Sequence, residues 1–404
     1  MPALAETLEA VAITRQPILS ATGDVFGYEL LHSGADADDP QSTARALSDT
    51  LLSVGLDELT DGRPAFLSMT RELLLNDACR VLPPAHAVFE IEGNIQVDND
   101  LLTACRELQG SGYSLALHGF TPKTPAEQLL PFMRFVKVDA VATPAPERSQ
   151  VARHLAHRGL RLIAEHVGTR ALVRDTQSVG FDLFQGFFFC EPLIVRSKPL
   201  PGRQLAYLNL LAALNKPTLT MGELEELVKH DASITLRVLQ CVNSAAFGVR
   251  REISSLREAL VLLGTGTIAR WATIWAMAGL NSGPTEVVTM AVLRGRCCEL
   301  MGDRLEQGTG ADLFLLGLCS LLETMLGVPM LKVLEEMPLS AEIRMALLGA
   351  PGNERSLLDA VIAYERGDWE DAEQRCDQLG LPQNAAPRAY SDALRWAAKL
   401  STGK

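Results

Sequence analysis

The stretch HAVFEIEGNIQVDNDLLTACRELQGSGYSLALHGF, residues 86–120, contains one full repeat of the first half of the chain. HAVFEIE (86–92) and YSLALHGF (113–120) are apolar runs of strand length, and NDLLTACRELQ (99–109) between them has helical spacing. A strand, a helix and a second strand in close succession imply parallel pairing through a right-handed crossover.

The same rhythm recurs on both sides. The strand candidates are VAITRQPIL (11–19), VFGYELL (25–31), PAFLSM (64–69), HAVFEIE, YSLALHGF, FVKVDA (135–140), LRLIAEHV (160–167) and LFQGFFF (183–189). Helical patterning fills the later gaps, as in RSQVARHLAHRG (148–159) and RALVRDTQSVG (170–180). Repetition on this scale predicts a compact β/α barrel of the TIM type. An open doubly wound sheet is the alternative, but no GxGxxG follows a strand.

Near Arg196 the rhythm stops. RSKPLPGRQ (196–204) is rich in proline and basic residues and reads as a linker. Beyond it the spacing predicts helices over 204–214, 221–229, 233–243, 255–263, 266–280, 285–302, 311–326 and 340–349. The expected organisation is therefore a barrel over 1–197 and an all-α domain over 198–404, which 404 residues accommodate with a core in each.

Bulk properties narrow the partners. A net charge of −12 argues against a nucleic-acid or anionic-membrane surface. LFLLGLCSLL (313–322), flanked by Asp312 and Glu323, is too short for a membrane span. MPALAETLEA has no basic-then-apolar leader pattern, so no signal peptide is expected. The eight cysteines include no CxxC pair, which fits reduced thiols and a cytoplasmic protein.

In a β/α barrel the chemistry sits where the strands end. Those ends read Glu29, Ser68, Glu90 with Glu92, His118, Lys137 with Asp139, Glu165 and Gln185. Residues two apart share a strand face, so Glu90 and Glu92 can both point into the mouth, as can Lys137 and Asp139. Polar groups at nearly every strand end favour an inherited site over chance.

These stretches resemble the EAL family of phosphodiesterases, which hydrolyse cyclic di-GMP. GYELL places Glu29 on the metal-binding glutamate of the family signature, and FEIEG places Glu90 on a metal ligand. FVKVD matches the family's Lys-x-Asp strand with Lys137 and Asp139, and gives Lys137 the role of positioning the attacking water. IAEHV puts Glu165 on another acidic site residue, and FQGFFFCEP puts Gln185 on the family's QG motif. The departures are equally specific. Ser68 stands where the resemblance implies a metal-binding asparagine, and Gly93 where it implies a second glutamate. Ser33 replaces an arginine that grips phosphate, and His118 and Gly119 replace consecutive aspartates.

Paired Mg²⁺ ions need hard oxygen ligands, which glycine lacks and histidine does not replace. The expectation is no catalysis, no metal and no cofactor, with cyclic di-GMP affinity weak or absent. His118 is expected to fill the vacated mouth and bond a nearby glutamate rather than recruit a different metal. The clustered carboxylates should protonate or pair with Lys137. The competing expectation is an active or residual phosphodiesterase, or a weak cyclic di-GMP effector.

In the helical half, VKHDASI offers His230-Asp231, but Asp231 also suits a helix N-cap. The run from Leu224 to Trp271 resembles the HDOD family, relatives of HD hydrolases that lack the metal pair, through Asp231, VNSAAF with Asn243 and Ser244, and ALVLLG. FLLGLCSLLETMLG puts Ser320 and Leu321 in place of the catalytic His-Asp, and AYERGDW (363–369) looks like the tail of combined EAL-HDOD proteins. The resemblance implies a signalling module that binds a protein partner through its HDOD domain. Asn243 and Ser244 also have a structural reading, satisfying backbone groups at a helix end. Trp271 and Trp275, one helical turn apart, are expected in the core.

Overall fold

The computed structural model describes residues 12–33, 55–192, 202–216, 218–243, 253–281, 283–305, 310–337 and 339–401. Ser244 lies outside them. Two compact units emerge: residues up to Glu191 together with Tyr364–Trp369, and Pro192–Ala363 with the residues from Glu370 onward.

In the first unit the eight strand candidates all form strands: β1 Ala12–Ser20, β2 Val25–Ser33, β3 Ala65–Ser68, β4 Ala87–Glu92, β5 Ser114–His118, β6 Phe135–Asp139, β7 Arg161–Glu165 and β8 Leu183–Gln185. They close in sequence order into a barrel. The outer helices are α1 Leu56–Thr60, α2 Arg71–Leu75, α3 Asn99–Gly110, α4 Ala145–Leu155 and α5 Arg170–Ser178. Side-chain caps start three of them: Thr70 on α2, Asp98 on α3 and Thr169 on α5 each accept a backbone N–H three residues on. One expectation needs correcting. Pairing is parallel from β2 to β8, but β1 runs antiparallel to both neighbours. The cause is local: only residues 21–24 separate β1 from β2, and a connection that short can join only antiparallel strands.

Strand periodicity positions the site. Ile18, Phe66, Val88, Ala116, Phe135, Ile163 and Leu183 form one buried apolar cluster inside the barrel. In β3 to β8, which run toward the mouth, two residues farther along come Ser68, Glu90, His118, Lys137, Glu165 and Gln185. In antiparallel β1 the corresponding step runs back to Gln16, which pairs with Glu29. An apolar floor beneath a polar layer follows from the two-residue repeat.

The second unit is helical, and two of its helices, Asn353–Glu365 and Trp369–Gln378, run into the Tyr364–Trp369 segment of the first unit. Its elements are α6 Gly202–Leu214, α7 Met221–Lys229, α8 Ala232–Val242, α9 Leu256–Leu263, α10 Thr265–Leu280, α11 Thr285–Gly302, α12 Gly310–Cys319, α13 Leu322–Leu326, α14 Met330–Glu335, α15 Ala341–Leu347, α16 Asn353–Glu365, α17 Trp369–Gln378 and α18 Ala385–Ser401. The single helix expected over 311–326 is broken at Ser320 and Leu321, between α12 and α13. Ser320 Oγ turns back onto the Gly317 carbonyl at 2.7 Å, a competing local bond that ends the helix. Helices α14 and α16–α18 had not been anticipated. Trp271 is in the core and Trp275 packs against it. Among the described residues no single helix is long and apolar enough to cross a membrane.

Candidate functional site

At the barrel mouth the polar layer converges on one ammonium. Lys137 is fully buried, and its Nζ lies 2.8 Å from Glu90 Oε1, 2.9 Å from Glu165 Oε1 and 3.1 Å from Glu29 Oε2. The contacts to Glu90 and Glu29 are hydrogen bonds, and the contact to Glu165 is an ion pair. Burial alone would push the Lys137 pKa down, but the three carboxylates outweigh it and raise it well above the ordinary value. Burial, helped by the Glu29 charge, lifts Glu90 to about 8. Burial also opposes ionisation of Glu165, yet Lys137 and His118 hold its pKa down at about 2.

His118 bridges two carboxylates, with Nδ1 2.8 Å from Glu92 Oε1 and Nε2 3.0 Å from Glu165 Oε2. The Nδ1 contact is a hydrogen bond, and the Nε2 contact is an ion pair of the imidazolium. The bonds to Glu165 and Glu92 raise its pKa to about 10. Strand pairing puts Glu92 beside His118, and His118 beside Lys137. The residue anticipated to fill the mouth and bond one glutamate thus bonds one and lies within ion-pair distance of a second.

The remaining anticipated residues divide. Gln185 Nε2 donates to Gln16 Oε1 at 2.5 Å and to Glu29 Oε2, while its own Oε1 is buried without a hydrogen-bond partner. Asp139 does not join the cluster around Lys137. Its Oδ1 accepts from the backbone N–H groups of Val141 and Ala142, and its Oδ2 pairs with His166 Nδ1 at 2.9 Å. Ser68 is exposed at the end of β3, and Ser33 ends β2. Gln16 and His166 were missed by sequence reasoning. Gln16 was findable, because it sits two residues from Ile18 on the same strand face.

The two glycines differ. Gly93 donates its N–H to the His118 carbonyl at 2.7 Å, and a Cβ on it would lie 2.8 Å from the Gly119 carbonyl oxygen. No side chain fits there without backbone movement. Gly119 adopts φ +64° with open space around it, a left-handed conformation that suits glycine.

A pair of divalent cations does not fit this donor set as it stands. Glu29, Glu90 and Glu165 are turned onto Lys137, and Gly93 and Gly119 offer no side-chain oxygen. Among the described residues, no group of three or more His, Cys, Asp or Glu side chains is arranged to hold a metal ion.

In the helical unit the singled-out residues serve the backbone. Asp231 Oδ1 accepts the Ile234 N–H at 3.2 Å and caps α8, and Tyr207 Oη donates to its Oδ2 at 3.4 Å. His230 Nδ1 lies 2.7 Å from the Glu226 carbonyl at the end of α7. Asn243 Nδ2 donates to the Ile253 carbonyl at 2.8 Å, and its Oδ1 accepts the Ile253 N–H at 2.7 Å. Ser320 Oγ accepts from the buried Arg294 guanidinium at 2.9 Å, and Leu321 is buried beside it in sequence.

Comparison with known proteins accounts for both units. The EAL domain model matches residues 41–192 and the HDOD domain model residues 200–347. The EAL match begins after Glu29, so that residue's place in the mouth rests on its contact with Lys137. A Bacillus subtilis protein named "Uncharacterized protein YuxH" is 30% identical over 98% of this chain and 100% of its own length. The "Cyclic di-GMP phosphodiesterase CdgJ" of Vibrio cholerae is 27% identical over 98% of this chain and 94% of its own length. Among solved structures, Klebsiella pneumoniae BlrP1 in a manganese/cyclic di-GMP complex is 20% identical with a TM-score of 0.39, over 45% of this chain and 56% of that one. The chain belongs to the family that joins an EAL domain to an HDOD domain.

Proposed function

We propose that this protein is a non-catalytic, cytoplasmic member of the cyclic di-GMP signalling class, acting through a protein partner bound by its HDOD domain. The observation that carries the reading is the neutralisation of the mouth by the protein's own cations. Lys137 engages three carboxylates and His118 bridges two, in a layer where a phosphodiesterase of this family needs metal-bound oxygens. Glu29, Glu90 and Glu165 each already give one oxygen to the buried lysine, and Gly93 and Gly119 supply none, so two divalent ions would find fewer hard donors here than the resemblance implies.

The helical unit supports the second half of the proposal. Asp231, Asn243 and Ser320 are spent on capping, stapling and packing, and the position of the lost His-Asp pair holds Ser320 and Leu321. That chemistry favours binding over turnover.

A second reading, residual cyclic di-GMP hydrolysis, is favoured by the name of the Vibrio relative, which aligns over nearly the whole chain. One assay separates the two. Purified full-length protein, given cyclic di-GMP with Mg²⁺ or Mn²⁺, is expected to yield no hydrolysis product. Turnover that disappears in Glu29→Ala would overturn the proposal. Calorimetry with the same nucleotide is expected to show weak or no binding.

A further inference from the structure

The barrel has a seam. β1 pairs with β2 along nearly all its length, from Ala12↔Ser33 to Leu19↔Val25, but meets β8 only at Ile18↔Gln185, Leu19↔Phe184 and Ser20↔Leu183. Among the described residues, Ala12–Pro17, above Ile18 toward the mouth, have no β8 partner. Strand alternation puts Pro17 on the same backbone edge as Ile13, and proline has no N–H to extend a ladder there. An uncovered strand edge is a liability that folded proteins blunt or cover.

Here the cover comes from far along the chain. Tyr364–Trp369 belongs to the barrel unit. Tyr364 Oη donates to the Ile13 carbonyl at 3.0 Å, a buried bond across 351 positions. Gly367 lies over β2: with φ +75°, a Cβ on it would stand 3.1 Å from Leu31 Cδ1. The Arg366 guanidinium lies 5.4 Å from the ring centroid of Phe187, just beyond β8. Trp369 packs edge-on against Tyr364 with ring centroids 5.0 Å apart. The three anchor points thus fall on β1, on β2 and just past β8.

Each anchor also lies within three residues of Gln16, Glu29 or Gln185, the hydrogen-bonded trio of the mouth. Thr14, next to Ile13 and paired with Leu31, is fully buried.

We infer that Tyr364–Trp369 is a strap that closes the β1–β8 seam on the mouth side, so that the barrel and the placement of Glu29 and Gln185 depend on a segment outside the EAL-matched residues. This goes beyond the proposed function and holds whether or not the mouth hydrolyses a phosphodiester.

The test keeps the full chain. Thr14→Cys is introduced, and its maleimide labelling is followed by peptide-resolved mass spectrometry, with buried Cys319 of the helical unit as internal control. Labelling is expected to be slow with the native strap and about tenfold faster or more with Gly367→Val added, because a β-branched residue is strained at positive φ and opens the clamp. Tyr364→Phe, which removes one buried hydrogen bond, should accelerate it about fivefold. Cys319 should remain unreactive in every variant. Unchanged labelling at position 14 in both strap variants would overturn the inference. If Cys319 reacts in parallel in Gly367→Val, that variant has unfolded globally, and Tyr364→Phe decides: faster labelling at position 14 alone supports the strap, and no change refutes it.

Discussion

The polar residues that the sequence singles out in the barrel mouth and in the helical unit find different partners. In the mouth, charges from separate strands meet one another: Lys137 with Glu29, Glu90 and Glu165, and His118 with Glu92 and Glu165. In the helical unit, Asp231 and Asn243 meet backbone groups of their own neighbourhood. A barrel converges eight strand ends on one point and so can assemble a charge cluster that no single element holds. At helix ends, orphaned backbone groups claim such side chains, whereas within the helices buried Glu299 pairs with Arg270 and Arg296. Substitution therefore acts differently in each: in the mouth it unbalances several charges at once, whereas at a helix end it removes one cap.

The largest test of that contrast is Lys137→Met. It leaves three carboxylates facing each other in a buried layer, and an expected loss of about 3–5 kcal/mol follows from breaking a buried ionic group. Urea unfolding monitored by labelling of Cys105, buried in α3 of the barrel, measures it. A loss no larger than that of a surface substitution would show that the cluster contributes little.

Asn243→Ala should cost less, about 1–3 kcal/mol, because it strands the Ile253 N–H and carbonyl without charge being involved. Labelling of Cys241 in urea reads this in the helical unit. An equal effect on Cys105 would contradict the local role assigned to the asparagine. Asp231→Ala, which removes one N-cap of α8, should cost about 1 kcal/mol by the same readout.

The smallest effect concerns pH. Free of its partners, His118 loses its proton near 6.5, and in the fold it keeps it to about 10. Its stabilising contribution is therefore complete below about 6.5 and fades as pH rises toward 10. A side chain 34% exposed is partly screened by solvent, so the slope should be shallow. Barrel stability measured from about pH 6 to about pH 10 should decline in the native chain, and His118→Gln should flatten that decline. An unaltered slope would assign the pH dependence to other groups.

Much of this was legible beforehand because it is local. The two-residue strand repeat set Glu90, His118, Lys137, Glu165 and Gln185 on one inner layer, and the 3.6-residue repeat marked most of the helices. The residues missed were those whose partners lie far away in sequence. Gln16 meets Gln185 across 169 positions, and Tyr364 meets Ile13 across 351. Arg294 beside Ser320 and His166 beside Asp139 depend on how neighbouring elements pack. Asp139 itself was misjudged, since a strand-end carboxylate can turn toward the mouth or cap the loop that follows, and the backbone N–H groups of Val141 and Ala142 claimed it.

By itself, then, the sequence determined which faces of which strands are polar and which oxygen donors are missing, because side-chain alternation and residue identity are properties of the chain. Only the tertiary structure decided which charges the strand-end carboxylates meet. A buried ammonium and an imidazolium find their carboxylates through strand register and barrel closure. A six-residue segment near the far end of the chain finds the β1–β8 seam only because folding brings the two together.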